Sequence, residues 1–186
     1  ILLEVSGEKE YVWVQLDDAF GKNLVYLTGN FNYNIPFGEK RINISPKVFS
    51  GDKHLISARR AKDFEIKSYR NLALNVNDNH ENTSCFPHAY ANVETKGEAV
   101  FAAKNAIDGV RANLSHGEWP YESWGINRQD DAEMTVDFGR KIKTDKIAKR
   151  TVIPPTVGAI KTAMLPPIST MIISDIVAIC FSVISV

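Results

Sequence analysis

The stretch His116-Gly117-Glu118-Trp119-Pro120-Tyr121-Glu122 carries the densest mix of recognition chemistry in the chain. Indole and phenol rings can stack on the apolar faces of sugar rings, while imidazole, amide and guanidinium groups meet hydroxyls with fixed geometry. Trp119 and Tyr121 are therefore the candidate platform, with His116, Asn127 and Arg128 as hydrogen-bonding partners. The same Trp-Pro-Tyr segment could equally fold back over the end of a sheet, since exposed loop aromatics hint at function without proving it. A second polar and aromatic stretch, Cys85-Phe86-Pro87-His88-Ala89-Tyr90-Ala91-Asn92, adds His88 as a further candidate contact.

Other chemistries fare less well. Cys85, His88 and His116 fall short of the four ligands a structural zinc takes. A nucleophilic cysteine needs a positioned base, and no spacing here supplies one. Glu118, Glu122, Asp130 and Asp131 lie close in sequence, but a glycosidase pair also needs a cleft and a set separation, and loop acids are mostly solvated. Arg59, Arg60 and Lys62 form a small basic cluster that reads as a solvated face. No catalytic residue is assigned, and the chain is not read as an enzyme.

The 186 residues carry 22 basic and 22 acidic side chains, for a net charge of zero, and 44% are apolar. That composition is globular, long enough for a real core, and lacks the basic excess of a nucleic-acid binder. Residues 151–186 differ from the rest: Lys161 and Asp175 are the only charges there, Phe181 the only aromatic, and four of the eight prolines fall in this tail. The run from Met171 to Val186 is short for a spanning helix and interrupted by Asp175, so no membrane span is expected. The start, Ile1-Leu2-Leu3-Glu4-Val5, does not read as a signal peptide; the sequence reads as beginning inside a longer protein.

The elements that must position these groups are mainly strands. Tyr11 to Leu16 and Leu24 to Leu27 are rich in β-formers and flank turn residues. Phe31, Tyr33, Ile35 and Phe37 alternate with Asn32, Asn34 and Pro36, which predicts a strand with one apolar face, at an edge because of the proline. Arg41 to Ile44, His54 to Ser57 and the alternation through Phe64 and Ile66 predict further short strands, and Met134, Val136 and Phe138 another. Glu98 to Ile107 predicts the clearest helix, with Ala99, Val100, Ala103, Ala106 and Ile107 on one face and Gly109 as its cap.

From residue 71 the order of features becomes specific. Asn71-Leu72-Ala73 opens, Ala103-Lys104-Asn105-Ala106-Ile107-Asp108-Gly109 follows, then Trp124, then Val136-Asp137-Phe138-Gly139, then Asp145-Lys146-Ile147. Over residues 71–147 this resembles the discoidin-like family, the coagulation factor V/VIII type C domains and the related galactose-binding carbohydrate modules of bacteria. The pieces also make physical sense. Asp108-Gly109 suits a turn needing positive φ, and Trp124 is large enough to plug the space between two sheets.

The resemblance implies a jelly-roll β-sandwich whose end loops bind a sugar or another surface without catalysis, in an extracellular or cell-surface setting. It also implies a candidate structural calcium near Asp108, held by oxygen ligands. The overall reading is an all-β chain in three parts. Residues 1–69 are a β-rich segment ending an upstream domain, and 70–150 are the first half of a galactose-binding-like sandwich. Residues 151–186 are a low-charge tail that does not continue the family pattern, as an out-of-frame readout would not. A sandwich cut short in this way would leave sheet edges open. The leading function is carbohydrate binding, as a module of a larger bacterial-type protein. Protein- or lipid-surface binding by the same sandwich, or an accessory region of a glycan-active enzyme, are the alternatives.

Overall fold

The computed structural model describes residues 1–7, 9–110, 119–121, 123–151, 170–174 and 179–185. The chain is all-β in class, with strands in antiparallel sheets and only short helical turns. In chain order the strands are β1 (Leu2–Leu3), β2 (Glu10–Gln15), β3 (Asn23–Leu27), β4 (Phe31–Asn32), β5 (Ser57–Arg60) and β6 (Arg70–Asn71). They continue with β7 (Cys85–Phe86), β8 (His88–Ala91), β9 (Glu133–Asp137), β10 (Lys146–Thr151), β11 (Thr170–Ser174) and β12 (Ile179–Ser185).

Two hydrophobic clusters organise these strands. Alternation along β2 and β3 puts Val12, Val14, Val25 and Leu27 against Phe31, Tyr33 and Cys85 in the first. Its sheet runs β5-β2-β3-β7, so β7 closes onto β3 from well beyond residue 70, pairing Tyr26 with Phe86 and Leu27 with Cys85. The second cluster gathers Leu72, Ala106, Ile107, Trp124, Met134, Val136 and Phe138. Trp124 is fully buried there and its indole N–H donates to the Val93 carbonyl oxygen at 2.7 Å. Arg140 bridges the clusters: its guanidinium donates to the Tyr11 hydroxyl at 2.6 Å and lies over the Tyr11 and Tyr26 rings.

Two segments of the tail are strands. β11 pairs with β9, whose other edge takes β8, and β12 lies between β10 and β6. With neighbours on both sides, β9 buries Thr135 as well as Met134 and Val136, so its burial does not alternate as an edge strand's would. The prolines at 154, 155, 166 and 167 lie outside the described residues.

Several local expectations are corrected. Residues 98–107 form no α-helix: Thr95–Gly97, Ala99–Phe101 and Ala103–Ala106 are separate 3₁₀ turns, with Glu98 and Ala102 extended between them. Side chains capture the backbone groups a helix would use. Glu94 accepts the Ala103 N–H at 2.7 Å, and the Asn105 amide donates to the Ala99 and Val100 carbonyl oxygens.

Arg41 to Ile44 is not a strand, because Gly38–Arg41 is a 3₁₀ turn and the Arg41 guanidinium donates to the Val48 carbonyl oxygen at 2.6 Å, curling the segment. His54 is tied to Asp17 and the Gly51 carbonyl oxygen, and the strand starts only at Ser57. Asp63–Ile66 is a single helical turn, α1, in which Glu65 accepts the Lys62 N–H at 2.8 Å. The aromatic run after Phe31 leaves its strand at Asn32, and Phe37 is 75% exposed. Gly109 adopts φ +87°, and a Cβ there would meet Leu74 Cδ1 at 2.7 Å, so the turn after Asp108 accepts no larger residue unstrained.

Candidate functional site

The structure brings Trp119 and Tyr121 together. Their rings meet edge to face with centroids 6.3 Å apart, and both line an open hollow of about 850 Å³. Gly38 to Ile42 and Ile44 of the curled segment, which Arg41 holds in place, also line it, as do Glu98 and Val100 from the 3₁₀ region. Both rings are partly exposed, and Glu39, Lys40 and Glu98 supply charged groups of both signs. An apolar surface ringed by a few polar groups is the ordinary make-up of a small-molecule site.

The other candidates are dispersed. Asn127 and Arg128 occupy an exposed turn with φ of 51° and 58°, where the Asn127 N–H donates to Thr95 Oγ1 at 2.9 Å. Neither lines the Trp119 hollow. His116 lies outside the described residues, as do Glu118 and Glu122. His88 also lies away from the hollow, on β8, with Nδ1 2.8 Å from Asp78 Oδ1. The Asp108 carboxylate accepts the Val110 N–H at 2.8 Å. Among the described residues the one grouping of three acid, imidazole or thiol side chains close enough to share an ion is Asp17, Asp18 and His54, and Asp108 belongs to no such group of three. Asp17 in its turn already bonds His54 Nδ1 at 2.7 Å and the Ala19 N–H at 2.8 Å.

Sequence reasoning missed a buried polar web. Asn75, Asn77, Asp78 and Asn82 are all buried. Asp78 accepts from His88 Nδ1, from the Asn82 amide at 2.9 Å and from the Ala89 N–H at 2.8 Å. Asn82 reaches on to the Cys85 backbone, Asn75 donates to the Pro87 carbonyl oxygen at 2.7 Å, and Asn77 reaches Asn23 on β3 at 3.2 Å. The web therefore fixes β7 and β8 against both clusters. Its signal was the density of Asn and Asp from 75 to 82, which reads from sequence only as a turn.

Electrostatics follow from this burial. Burial, reinforced by the Asp78 charge, pushes the Cys85 thiol far up, so it stays protonated. Burial also works against the His88 imidazolium, but the hydrogen bond to Asp78 and the charges of Asp78 and Asp137 prevail and raise its pKa. A folded pKa above the unfolded value means the contribution is complete below about pH 6.5 and is lost as pH rises through the folded value. The melting temperature should therefore fall as pH rises above about 6.5, and His88→Gln should flatten that slope. An unchanged slope in the variant would assign it elsewhere.

The basic cluster is an ion-paired face. Arg59 forms a two-pronged pair with Glu65 at 2.9 and 2.6 Å, which holds the Glu65 carboxyl at about 2, and Arg60 pairs with Glu10. No helix among the described residues is long and apolar enough to cross a membrane. No family model, no curated protein and no solved structure matches the chain.

Proposed function

We propose that this chain is a non-catalytic carbohydrate-binding module, a discoidin-like jelly-roll sandwich working within a larger protein. The observation that carries the reading is the edge-to-face pair of Trp119 and Tyr121 in the wall of an open hollow. A ring face presented to solvent can take the C–H face of a sugar, while Lys40, Glu39 and Glu98 can bond its hydroxyls. The motif residues support the same reading: Trp124 plugs the second core and Asp108-Gly109 makes its turn.

A glycan array on the full chain tests it. Binding to at least one sugar class is expected, and Trp119→Ala should weaken it about tenfold or more, as loss of a stacking platform does. Retention of full binding by Trp119→Ala would remove the hollow from consideration. Silence on every glycan, with binding instead to protein or vesicles, would favour the surface-binding alternative.

A further inference from the structure

A second hollow, of about 530 Å³, lies beside the first; the two share Lys40 and Ile44 in their linings. Its size falls within the range of ordinary ligand sites, roughly 300–1,000 Å³. No candidate residue from the sequence lies in it. Lys104 lines it and is only 9% exposed. An ammonium has three N–H donors, yet the only acceptor within hydrogen-bond distance of Lys104 Nζ among the described residues is the Asn43 carbonyl oxygen, at a long 3.4 Å. Burial accordingly lowers the Lys104 pKa, against the attraction of Asp108, Asp78 and Glu94. A buried donor left short of acceptors costs stability, and such a group is kept where an acceptor arrives from outside.

The surrounding groups narrow the class of that acceptor. Lys40 and Lys104 are matched in the lining by Asp78 and Glu81, so the hollow has no net excess of either sign before His80 is counted. Both carboxylates are already engaged: Asp78 in its web, and Glu81 with the Asn34 amide at 2.6 Å. His80 Nε2 lies 3.2 Å from Glu94. The unspent capacity is therefore for donation, in a lining whose formal charges already balance, so that an added full charge would leave an excess of one sign. A neutral oxygen, hydroxyl or ring ether, fits that requirement better than a carboxylate. Phe37, 75% exposed at the rim, offers an apolar face for the ring that carries it.

We propose that the Lys104 hollow is a second glycan subsite, so that the ligand is a neutral oligosaccharide running from the Trp119 hollow past Lys40 to Lys104. This rests on the carbohydrate-binding reading above and adds to it a chain length and a charge class.

The test is calorimetric titration of the full chain with galactose and β-1,4-galactotetraose, and with glucose and cellotetraose. In at least one pair the tetrasaccharide should bind about tenfold more tightly or better. Lys104→Met should abolish that gain, leave the monosaccharide affinity unchanged, and raise the melting temperature by about 3 °C or more, because it removes a buried ammonium. Phe37→Ala, at an exposed site that folding does not need, should cut the gain about fivefold. Equal affinity for monosaccharide and tetrasaccharide in the wild type would overturn the inference and leave the glycan reading standing. So would a length gain that survives both substitutions. Tetragalacturonate binding about tenfold more tightly than galactotetraose, lost in Lys104→Met, would overturn the neutral class. Absence of binding to any of the four sugars would overturn this inference, while silence across the whole glycan array would overturn the glycan reading itself.

Discussion

Asp78→Ala is expected to destabilise the chain by about 3–5 kcal/mol, the usual cost of removing one partner from a buried, hydrogen-bonded charge pair. The carboxylate is fully buried and holds three donors at once: the His88 imidazole, the Asn82 amide and the Ala89 N–H. Alanine leaves all three facing a void. Asn82 would then lose one of the bonds that orient it toward the Cys85 backbone, and with it the seat of β7 on β3. A loss of this size consumes much of the roughly 5–15 kcal/mol that separates folded from unfolded domains. Asp78→Asn keeps the shape and one acceptor oxygen, and should cost less, about 1–3 kcal/mol. Urea unfolding of the three proteins measures both steps. A loss under about 1 kcal/mol for Asp78→Ala would show that the web follows the fold and does not hold it.

Trp124→Ala should cost a comparable amount, about 3–5 kcal/mol, by a different route. The indole is completely buried among Leu72, Ile107, Met134 and Val136, so alanine opens a large cavity in the second cluster. It also strands the Val93 carbonyl oxygen. Trp124→Phe separates the two effects, since it keeps most of the volume and loses only the bond, and should cost about 1–3 kcal/mol. Thermal melts followed by circular dichroism distinguish them. Near-equal losses for Phe and Ala would place the cost in the hydrogen bond, and a harmless Ala would contradict the packing described above.

The parts of the fold legible in sequence are those governed by neighbours a few residues away. The β-rich runs of β2 and β3 and the Asp108-Gly109 turn follow from residue type and from glycine's freedom at positive φ, and the spacing of Met134, Val136 and Phe138 marked β9 as a strand. Two of the failures share a cause, which is capture of backbone groups by a side chain that the periodic pattern does not reveal. Residues 98–107 have a sound helical face, but Glu94 and Asn105 take the groups an α-helix would pair. Arg41 folds a β-like segment into the wall of a hollow by reaching residues 48 and 49. Such bonds leave no periodic trace.

For the candidate site the same division holds. Trp119 and Tyr121 could be named from residue type and spacing, because aromatic rings beside polar groups in a loop point to recognition whatever the fold. His88 could not be placed in that way: its type suggested a ligand contact, and only the structure shows it bonded to Asp78. Lys104 went unremarked inside a helical pattern, where a lysine normally reaches solvent. By itself, the sequence determined the all-β class and pointed to Trp124 as core, since these depend on composition, residue size and short-range spacing. Only the tertiary structure decided which polar groups are buried, which tail segments complete the sheets, and that Lys104 lines a hollow beside the aromatic one. Those outcomes depend on which distant segments exclude water from one another, and spacing along the chain does not encode that.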